Sequence, residues 1–253
     1  MYPEFADTTA LITGGGTGIG RAAALALAAG GCTVTVSGRT EQTLVETVEQ
    51  IEAAGGKARY AVADVSDEEA IQRAVRIAIG DSGRLDFGVN SAGISGGDNL
   101  KPFAEYSTEM FDRMIAVDLR GTFLAMKHEL RQMATQGFGA IANIASGTSL
   151  VGVPGFAGYV AAKHGVAGLT KVAALDYGAQ HIRVNAIAAG LVETPVDRRG
   201  PVTRDPGRPD RRAPAGADRP AGGNRRRGAL PVSSRSTFVT GVTMPVDGGY
   251  VAR

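Results

Sequence analysis

Residues 9–20 read TALITGGGTGIG, a short apolar run that passes directly into a cluster of glycines. The run is typical of a buried strand, and the Ala/Leu-rich stretch at 19–29 predicts a helix. Glycines let the backbone turn tightly and approach a pyrophosphate, while the helix N-terminus offers free N–H groups and the positive end of its dipole. The stretch therefore favours a dinucleotide-binding βαβ unit over a plain strand-to-helix turn.

The same alternation of strand and helix patterns continues to about residue 190. Strands alternating with helices imply parallel strands joined by helical crossovers. We therefore predict one α/β domain over residues 1–253, a single doubly wound Rossmann-type domain with a parallel sheet. Further strands are predicted at 33–37, 59–63, 85–89, 140–145, 183–189 and 242–246, and helices at 41–54, 67–79, 108–133 and 157–177.

Composition excludes several classes of protein. The 253 residues hold one Cys, three His and no Trp, with 43% apolar and 21% charged residues. A lone Cys32 rules out a disulfide framework and a Cys-based zinc site, and the scattered histidines make a metal cluster improbable. The chain has no run of about 18 apolar residues to span a membrane, and its start lacks the features of a secretory signal. The expectation is a cytoplasmic enzyme that uses no metal.

Further motifs follow the glycine cluster in a fixed order, each at the end of a predicted strand or in the helix that follows it. They are Asp64-Val65, Asn90-Ser91-Ala92-Gly93, Ser146, Tyr159-Val160-Ala161-Ala162-Lys163, and Ala189-Gly190 with Val192 and Thr194. Together with the TGxxxGxG spacing of residues 13–20, this ordered set resembles the short-chain dehydrogenase/reductase family. The resemblance covers residues 8–196 and 237–250. A Tyr-x-x-x-Lys pair alone would be common by chance, whereas the ordered set is specific.

The resemblance implies a bound nicotinamide cofactor. Residues 37–40 read SGRT, which has no carboxylate to repel a 2′-phosphate, and Arg39 can pair with one unless it is only a surface arginine in a turn. NADP is therefore the favoured cofactor, and NAD is the alternative. The residues expected to contact the cofactor are Gly14, Thr17, Gly18, Ile19, Gly20, Arg39, Asp64, Val65, Asn90, Ala92, Gly93, Tyr159, Lys163, Val192 and Thr194.

Ser146, Tyr159, Lys163 and Asp118 are expected to carry the chemistry. This chemistry is hydride transfer between a secondary alcohol and a ketone or 3-oxo compound. A phenol is a poor base at neutral pH, but Lys163 lies four residues after Tyr159 on one helix face, and its charge favours the phenolate. The resemblance makes Tyr159 the acid/base and gives Ser146 the task of orienting the carbonyl. Without the family resemblance, Tyr159 could equally be a core tyrosine and Lys163 a solvent-exposed helix lysine.

Asp118 departs from the family pattern. Residues 117–121 read VDLRG, where the family has Asn in place of Asp, and that Asn is thought to hold a water that relays protons to the lysine. An ionised Asp118 would add negative charge near Tyr159 and Lys163 and weaken the base. Alternatively, Asp118 still holds the water and activity falls only in part.

The resemblance also implies a small alcohol or ketone as substrate. It further implies a homotetramer or homodimer in which the long helices of neighbouring subunits pair. The alternative, from a different class, is a catalytically impaired nucleotide-binding protein whose substrate lid is scrambled.

Residues 197–236 differ in composition from the rest of the chain. They hold eleven of the twenty-two arginines, four aspartates, no Glu or Lys and six of the eleven prolines, which gives the segment a net charge of +7 where the whole chain has +2. Proline at this density forbids a regular helix. A genuine basic loop or a polyanion-binding arm would account for the charge, but specific nucleic-acid binding is not expected.

A change of reading frame explains more of this segment. In the family a helix that opens near GRPEEIA precedes FVTG, and FVTG stands here at residues 238–241. One GC-rich coding of GRPEEIAAAVLYL, read two bases later, translates as PAGGNRRRGALPV, which is residues 220–232 letter for letter. We therefore predict that two compensating frameshifts replaced most of this segment, which should then be irregular and exposed.

Overall fold

A computed structural model describes residues 5–95, 100–190, 192–193, 219–220, 232–233 and 236–252. Within these ranges, parallel pairings join seven strands into one sheet in the order β3-β2-β1-β4-β5-β6-β9. This arrangement confirms the predicted parallel sheet. The strands are β1 Thr9–Thr13, β2 Thr33–Gly38, β3 Lys57–Val62, β4 Phe87–Asn90, β5 Gly139–Ile144, β6 Ile182–Ala189 and β9 Thr243–Val246; a separate pair is formed by β7 Val192–Glu193 and β8 Arg219–Pro220.

Helices cover both faces of the sheet, as the doubly wound prediction requires. The apolar side chains of α1 and α2 pack on one face, and those of α3, α5 and α6 pack on the other. The five inner strands β1, β2, β4, β5 and β6 are almost fully buried because both of their faces are covered, whereas the edge strands β3 and β9 are more exposed. The helices are α1 Gly18–Ala28, α2 Glu41–Ala53, α3 Glu68–Ile79, α4 Thr108–Met114, α5 Gly121–Gln136 and α6 Ala157–Tyr177.

The strand order reverses between β1 and β4. From β1 the chain moves outward through β2 to β3, and it then returns to add β4 on the other side of β1. In open parallel sheets a ligand binds in the crevice at the carboxyl ends of the strands where the order reverses. The glycine cluster follows β1 and residues 91–93 follow β4, so the two loops flank this crevice.

The helix predicted over residues 108–133 contains a wider turn. A π-helical turn at Ile115–Arg120 joins α4 to α5, and Asp118 lies within it. Single π turns inside α-helices are frequent at functional sites because they redirect one side chain. On the outward side of the same helix, Phe111 and Phe123 remain 37% and 46% exposed.

Two predicted strand boundaries differ from the structure by two residues. β3 begins at Lys57 instead of residue 59, and β4 begins at Phe87 instead of residue 85. β3 lies at the edge of the sheet and pairs with β2 from Lys57 onward. Its start is therefore fixed by backbone pairing, which an apolar pattern cannot show.

The segment 197–236 lies mostly outside the described residues. Of its described part, Arg219–Pro220 forms β8, and Val232, Ser233 and Ser236 are 1%, 3% and 7% exposed. For these last three residues the prediction of an exposed segment is wrong.

Val232 packs in the apolar cluster that contains the α1 and α2 side chains, and the two serines are held by Arg183 on β6. Its guanidinium donates hydrogen bonds to the Ser233 carbonyl at 3.1 Å, to Ser236 Oγ at 3.2 Å and to the Val239 carbonyl at 3.2 Å. Burial lowers the pKa of Arg183, and these three acceptors offset part of the cost of burying its charge. Ser233, Ser236 and Val239 are thus anchored to β6.

Candidate active site

The glycine loop after β1 packs so tightly that side chains would not fit. Gly14 has φ +66°, and a Cβ there would lie 2.8 Å from the backbone of Ala92. A Cβ on Gly20 would lie 2.3 Å from the Gly14 carbonyl oxygen. Thr17 precedes α1 and its side chain makes no capping bond, so the first N–H groups of the helix, which include those of Gly18 and Ile19, remain available to an anion. This cradle fits the pyrophosphate of a dinucleotide.

The end of β2 places Arg39 beside the predicted adenine pocket. The backbone N–H of Gly15 donates to the Ser37 carbonyl at 3.1 Å, which joins this strand end to the glycine loop. Arg39 Nη1 lies 3.9 Å from Asp64 Oδ2, and 59% of its side chain is exposed. Arg39 is therefore free to turn toward a phosphate at little cost.

Asp64 and Val65 follow β3 at the same edge. Burial opposes ionisation of Asp64, but hydrogen bonds from the Ser66 hydroxyl and N–H, together with the charge of Arg39, outweigh it and hold the pKa of Asp64 below its usual value. Val65 is buried and packs on α5, where a Cβ on Gly121 would lie 2.7 Å from Val65 Cγ2. These contacts fix the edge where the adenine is predicted to lie.

The loop after β4 passes between the glycine loop and α6, the helix that carries Tyr159 and Lys163. Thr13 Oγ1 accepts hydrogen bonds from the N–H groups of Ser91 at 3.2 Å and Ala92 at 3.4 Å. A Cβ on Gly93 would lie 2.9 Å from Asp118 Oδ1 and 3.4 Å from Lys163 Nζ. Residues predicted from separate parts of the sequence therefore meet at Gly93.

Ser146, Tyr159 and Lys163 stand around the ends of β5 and α6. Ser146 begins a short turn after β5, and its Oγ accepts from the Thr148 N–H at 3.2 Å. Lys163 is 6% exposed, and its Nζ donates to the Ile144 carbonyl at 3.1 Å and lies 5.6 Å from the centre of the Tyr159 ring. Tyr159 itself is half-buried. The structure thus places a buried ammonium beside a phenol that solvent can still reach.

Asp118 lies on the other side of Gly93 and is fully buried. Its Oδ1 accepts a hydrogen bond from the Ile94 N–H at 2.7 Å, and its Oδ2 has no hydrogen-bond partner among the described residues. Burial raises the pKa of Asp118, although the charge of Lys163 and the Ile94 N–H oppose that rise. The carboxyl is therefore harder to ionise than an exposed aspartate, which weakens the objection that its charge would disturb the base.

The chain is similar to known proteins along most of its length. The sequence profile of the family described as short chain dehydrogenase matches residues 8–203. The chain belongs to the short-chain dehydrogenase family. The cyclohexanol dehydrogenase of Acinetobacter sp. (strain SE19) is 37% identical over 100% of this chain and 98% of its own length. The cis-4-hydroxycyclohexanecarboxylate dehydrogenase of Sinomonas cyclohexanicum is 36% identical over 100% of both chains.

A solved structure gives the same result. The crystal structure of levodione reductase superposes with a TM-score of 0.90 and 34% identity over 98% of this chain and 99% of that chain. As a member of the short-chain dehydrogenase family, this protein is an oxidoreductase that acts on CH–OH groups with NAD or NADP. No helix among the described residues is long and apolar enough to cross a membrane, and no cluster of potential metal ligands occurs in that part of the chain.

Two predicted cofactor residues have no described side chain in this short-chain dehydrogenase. Val192 belongs to the two-residue strand β7, of which the structure describes the backbone. Thr194 lies outside the described residues. Their contacts with the cofactor stay predictions.

Sequence reasoning missed a second buried carboxyl. Glu129 on α5 is 0% exposed, and its Oε2 accepts from Asn90 Nδ2 at 2.9 Å. Burial raises the pKa of Glu129 to about 7, although the Asn90 amide opposes that rise. A charged residue three after Met126 and four before Met133, on the apolar face of a predicted helix, was the signal that could have revealed it.

Replacing Asp118 by Asn should stabilise the protein at neutral and alkaline pH. Because the folded-state pKa of Asp118 is raised from its ordinary 3.8, this group's contribution to stability is full below about pH 3.8 and is lost as the pH rises through the raised pKa. Asn escapes that loss, and its amide oxygen can still accept from the Ile94 N–H. At pH 8 we expect Tm to rise by about 2–4 °C, or about 1 kcal/mol.

The matched control is Asp112→Asn, which changes an exposed aspartate on the same long helix and should leave Tm nearly unchanged. Melting curves of the two variants and the parent between pH 4 and pH 9 check the prediction. The pH–rate profile of Asp118→Asn should also shift to lower pH, because a negative charge near the Tyr159–Lys163 pair is removed. Equal stability of parent and Asp118→Asn at pH 8 would show that the ionised carboxyl is buried at no cost.

Proposed function

We propose that this short-chain dehydrogenase interconverts a cyclic secondary alcohol and its ketone with NADP(H). The observation that carries the proposal is the buried Lys163 ammonium, held by the Ile144 carbonyl and lying 5.6 Å from the Tyr159 ring. A positive charge fixed beside a phenol stabilises the negative charge that develops on the phenol oxygen when its proton moves.

Each residue of the site has a separate task in this proposal. Tyr159 gives its proton to the developing alkoxide during ketone reduction and takes it back during alcohol oxidation. Ser146 donates a hydrogen bond to the substrate oxygen and orients it toward Tyr159. Lys163 holds the charge that makes this proton movement easy. When bound, the nicotinamide supplies or accepts the hydride.

Apolar side chains near the site favour an apolar substrate. Leu150, four residues after Ser146, is 42% exposed, and Leu100 is 44% exposed and packs beside Gly155, where a Cβ would lie 3.2 Å from Leu100 Cβ. Leu150 thus lies within the segment between Ser146 and Tyr159, and Leu100 packs against the same segment. Two relatives are named for ring alcohols, cyclohexanol and 4-hydroxycyclohexanecarboxylate. These names favour a six-membered ring alcohol over a linear 3-oxo compound as the substrate.

The preference for NADP rests on Arg39. Its guanidinium is largely exposed at the end of β2, beside the glycine loop, where Asp64 is its ion-pair partner at 3.9 Å. A long exposed pair of this kind is weak. A 2′-phosphate could therefore replace Asp64 as the partner of Arg39, because its charge-assisted hydrogen bond to the guanidinium would be shorter.

An exposed apolar surface supports self-assembly. Phe111 and Phe123 on the α4–α5 helix and Val172 and Leu175 on α6 are 37%, 46%, 56% and 85% exposed. We propose that these faces pair between copies of the chain in a homotetramer or a homodimer. A cytoplasmic location stays a prediction from the sequence.

We also propose that most of residues 197–236 are translated out of frame. Support comes from the letter-for-letter match of residues 220–232 to a shifted reading of GRPEEIAAAVLYL, and from FVTG at residues 238–241, where the family pattern resumes. Sequencing the gene across this stretch tests the proposal. A corrected reading frame that encodes a family-like helix would support it, and an open frame with no trace of that helix in any frame would show a genuine basic loop.

Replacing Tyr159 by Phe should abolish most of the turnover and spare cofactor binding. The ring stays but the hydroxyl that carries the proton is removed, so we expect a loss of about two to four decades in kcat. Steady-state oxidation of cyclohexanol and reduction of cyclohexanone measure it. Tyr60→Phe, which removes a partly exposed hydroxyl on β3, is the control and should keep full activity. A kcat of Tyr159→Phe within tenfold of the parent would refute the role of Tyr159, and a parent inactive on all ketones would favour the impaired nucleotide-binding alternative.

Replacing Arg39 by Ala should weaken NADPH binding far more than NADH binding. Only NADPH carries the 2′-phosphate, and loss of one charge-assisted bond to it should cost about tenfold or more in Kd. Titration of protein fluorescence or calorimetry with each cofactor gives both constants. Arg73→Ala, which removes an exposed arginine on α3, is the matched control. Equal effects of Arg39→Ala on the two cofactors would make Arg39 a bystander and leave NAD as the cofactor.

A further inference from the structure

Four polar side chains form a continuous buried chain of hydrogen bonds behind the active site, here called the polar strip. Glu129 Oε2 accepts from Asn90 Nδ2 at 2.9 Å, and the same amide donates to Asn143 Oδ1 at 3.1 Å. Asn143 Nδ2 then donates to Thr170 Oγ1 at 2.9 Å. The four side chains are 0–2% exposed. The strip links α5, β4, β5 and α6.

The strip lies at the carboxyl ends of β4 and β5, next to the loops that carry or hold the proposed catalytic groups. Asn90 and Asn143 are direct partners in the register of β4 and β5. Asn90 immediately precedes the loop at residues 91–93. Asn143 immediately precedes Ile144, whose carbonyl holds Lys163, and lies three residues before Ser146. A shift of one strand end against the other would therefore move these groups relative to one another.

The fold makes room for the Glu129 carboxyl at a cost. A Cβ on Gly88 would lie 2.6 Å from that carboxyl, so a larger residue on β4 would displace it. Glu129 Oε1 has no hydrogen-bond partner among the described residues. Burying a carboxyl with so few partners is unfavourable, and an apolar residue of similar volume would be tolerated better by the core. A buried carboxyl that lowers stability at this position is best explained by a functional role in the neighbouring site.

We propose that Glu129 is a positioning residue, which through Asn90 and Asn143 fixes the β4 loop relative to Ser146 and to the anchor of Lys163. The inference rests on the proposed function for the roles of Ser146 and Lys163. Glu129 reaches neither the substrate nor the cofactor. It acts by holding the Asn90 amide so that one hydrogen of that amide faces Asn143.

Two substitutions at Glu129 separate positioning from packing. Glu129→Gln keeps an oxygen that accepts from Asn90 Nδ2, so kcat should stay within about threefold of the parent. Glu129→Leu removes the acceptor and keeps most of the volume. We expect it to lower kcat about tenfold or more with little change in KM for the alcohol, because small misplacement of reacting groups lowers the rate of the chemical step. Met133→Ala, a cavity on the same helix face away from the strip, is the control for lost stability and should keep its kcat.

A variant at the other end of the strip protects the test against a misfolded Glu129→Leu. Asn143→Ala breaks the same chain and should lower kcat by a similar factor, and the double variant with Glu129→Gln should lose no more than Asn143→Ala alone. The inference is overturned if Glu129→Leu and Asn143→Ala keep the parent's kcat and only lower Tm. It is also overturned if Glu129→Gln loses as much as Glu129→Leu.

The Kd for NADPH distinguishes a failure of this inference from a failure of the proposed function. A parent protein with no turnover on any alcohol or ketone would refute the proposed function. In that case the Kd for NADPH tests the positioning role by itself. A displaced β4 loop should weaken NADPH binding about threefold or more in Glu129→Leu, and Met133→Ala should leave it unchanged. An unchanged Kd in Glu129→Leu would overturn the positioning role.

Discussion

The Lys163 ammonium, buried and bonded to the Ile144 carbonyl, is the interaction on which the arrangement of this site depends. A buried charge is costly unless it is paired and hydrogen-bonded. The Ile144 carbonyl and the Asp118 carboxyl attract the Lys163 charge and so offset part of that cost. Gly93 packs beside both side chains. Tyr159 stands one helical turn before it and remains open to solvent. The fold thus holds a fixed positive charge next to a phenol that a substrate can reach.

Two buried carboxyls on the long α4–α5 helix frame this arrangement. Asp118 leaves the helix at the π turn and faces the loop at residues 93–94, while Glu129 lies three turns on and faces the sheet. Burial raises the pKa of both groups, so each favours its neutral form more than an exposed carboxyl does. The helix therefore supports the site through hydrogen bonds to the β4 strand and loop. The glycines at 88 and 93 provide the space that both carboxyls need.

Much of the site could be predicted from the sequence because its elements are local. The TGxxxGxG spacing needs only a strand, a tight turn and a helix start, and Tyr159 and Lys163 share a helix face by their separation alone. The bonds from Asn90 to Asn143 and from Asp118 to Ile94 depend on strand register and on a π turn, which periodicity does not encode. The burial of Val232 and Ser233 was missed for a similar reason, since composition could not show that Arg183, about fifty residues earlier, bonds to this stretch.

The central claim is that the buried Lys163 charge makes Tyr159 an effective acid and base, and Lys163→Met tests it most directly. Methionine keeps the length and apolar body of the side chain but removes the charge. Turnover of cyclohexanol and cyclohexanone should fall by about two decades or more, while circular dichroism and the glycine-loop affinity for the adenine half of the cofactor remain those of the parent. Lys171→Met, on the exposed face of the same helix, should keep full activity. Turnover of Lys163→Met within tenfold of the parent would contradict the account.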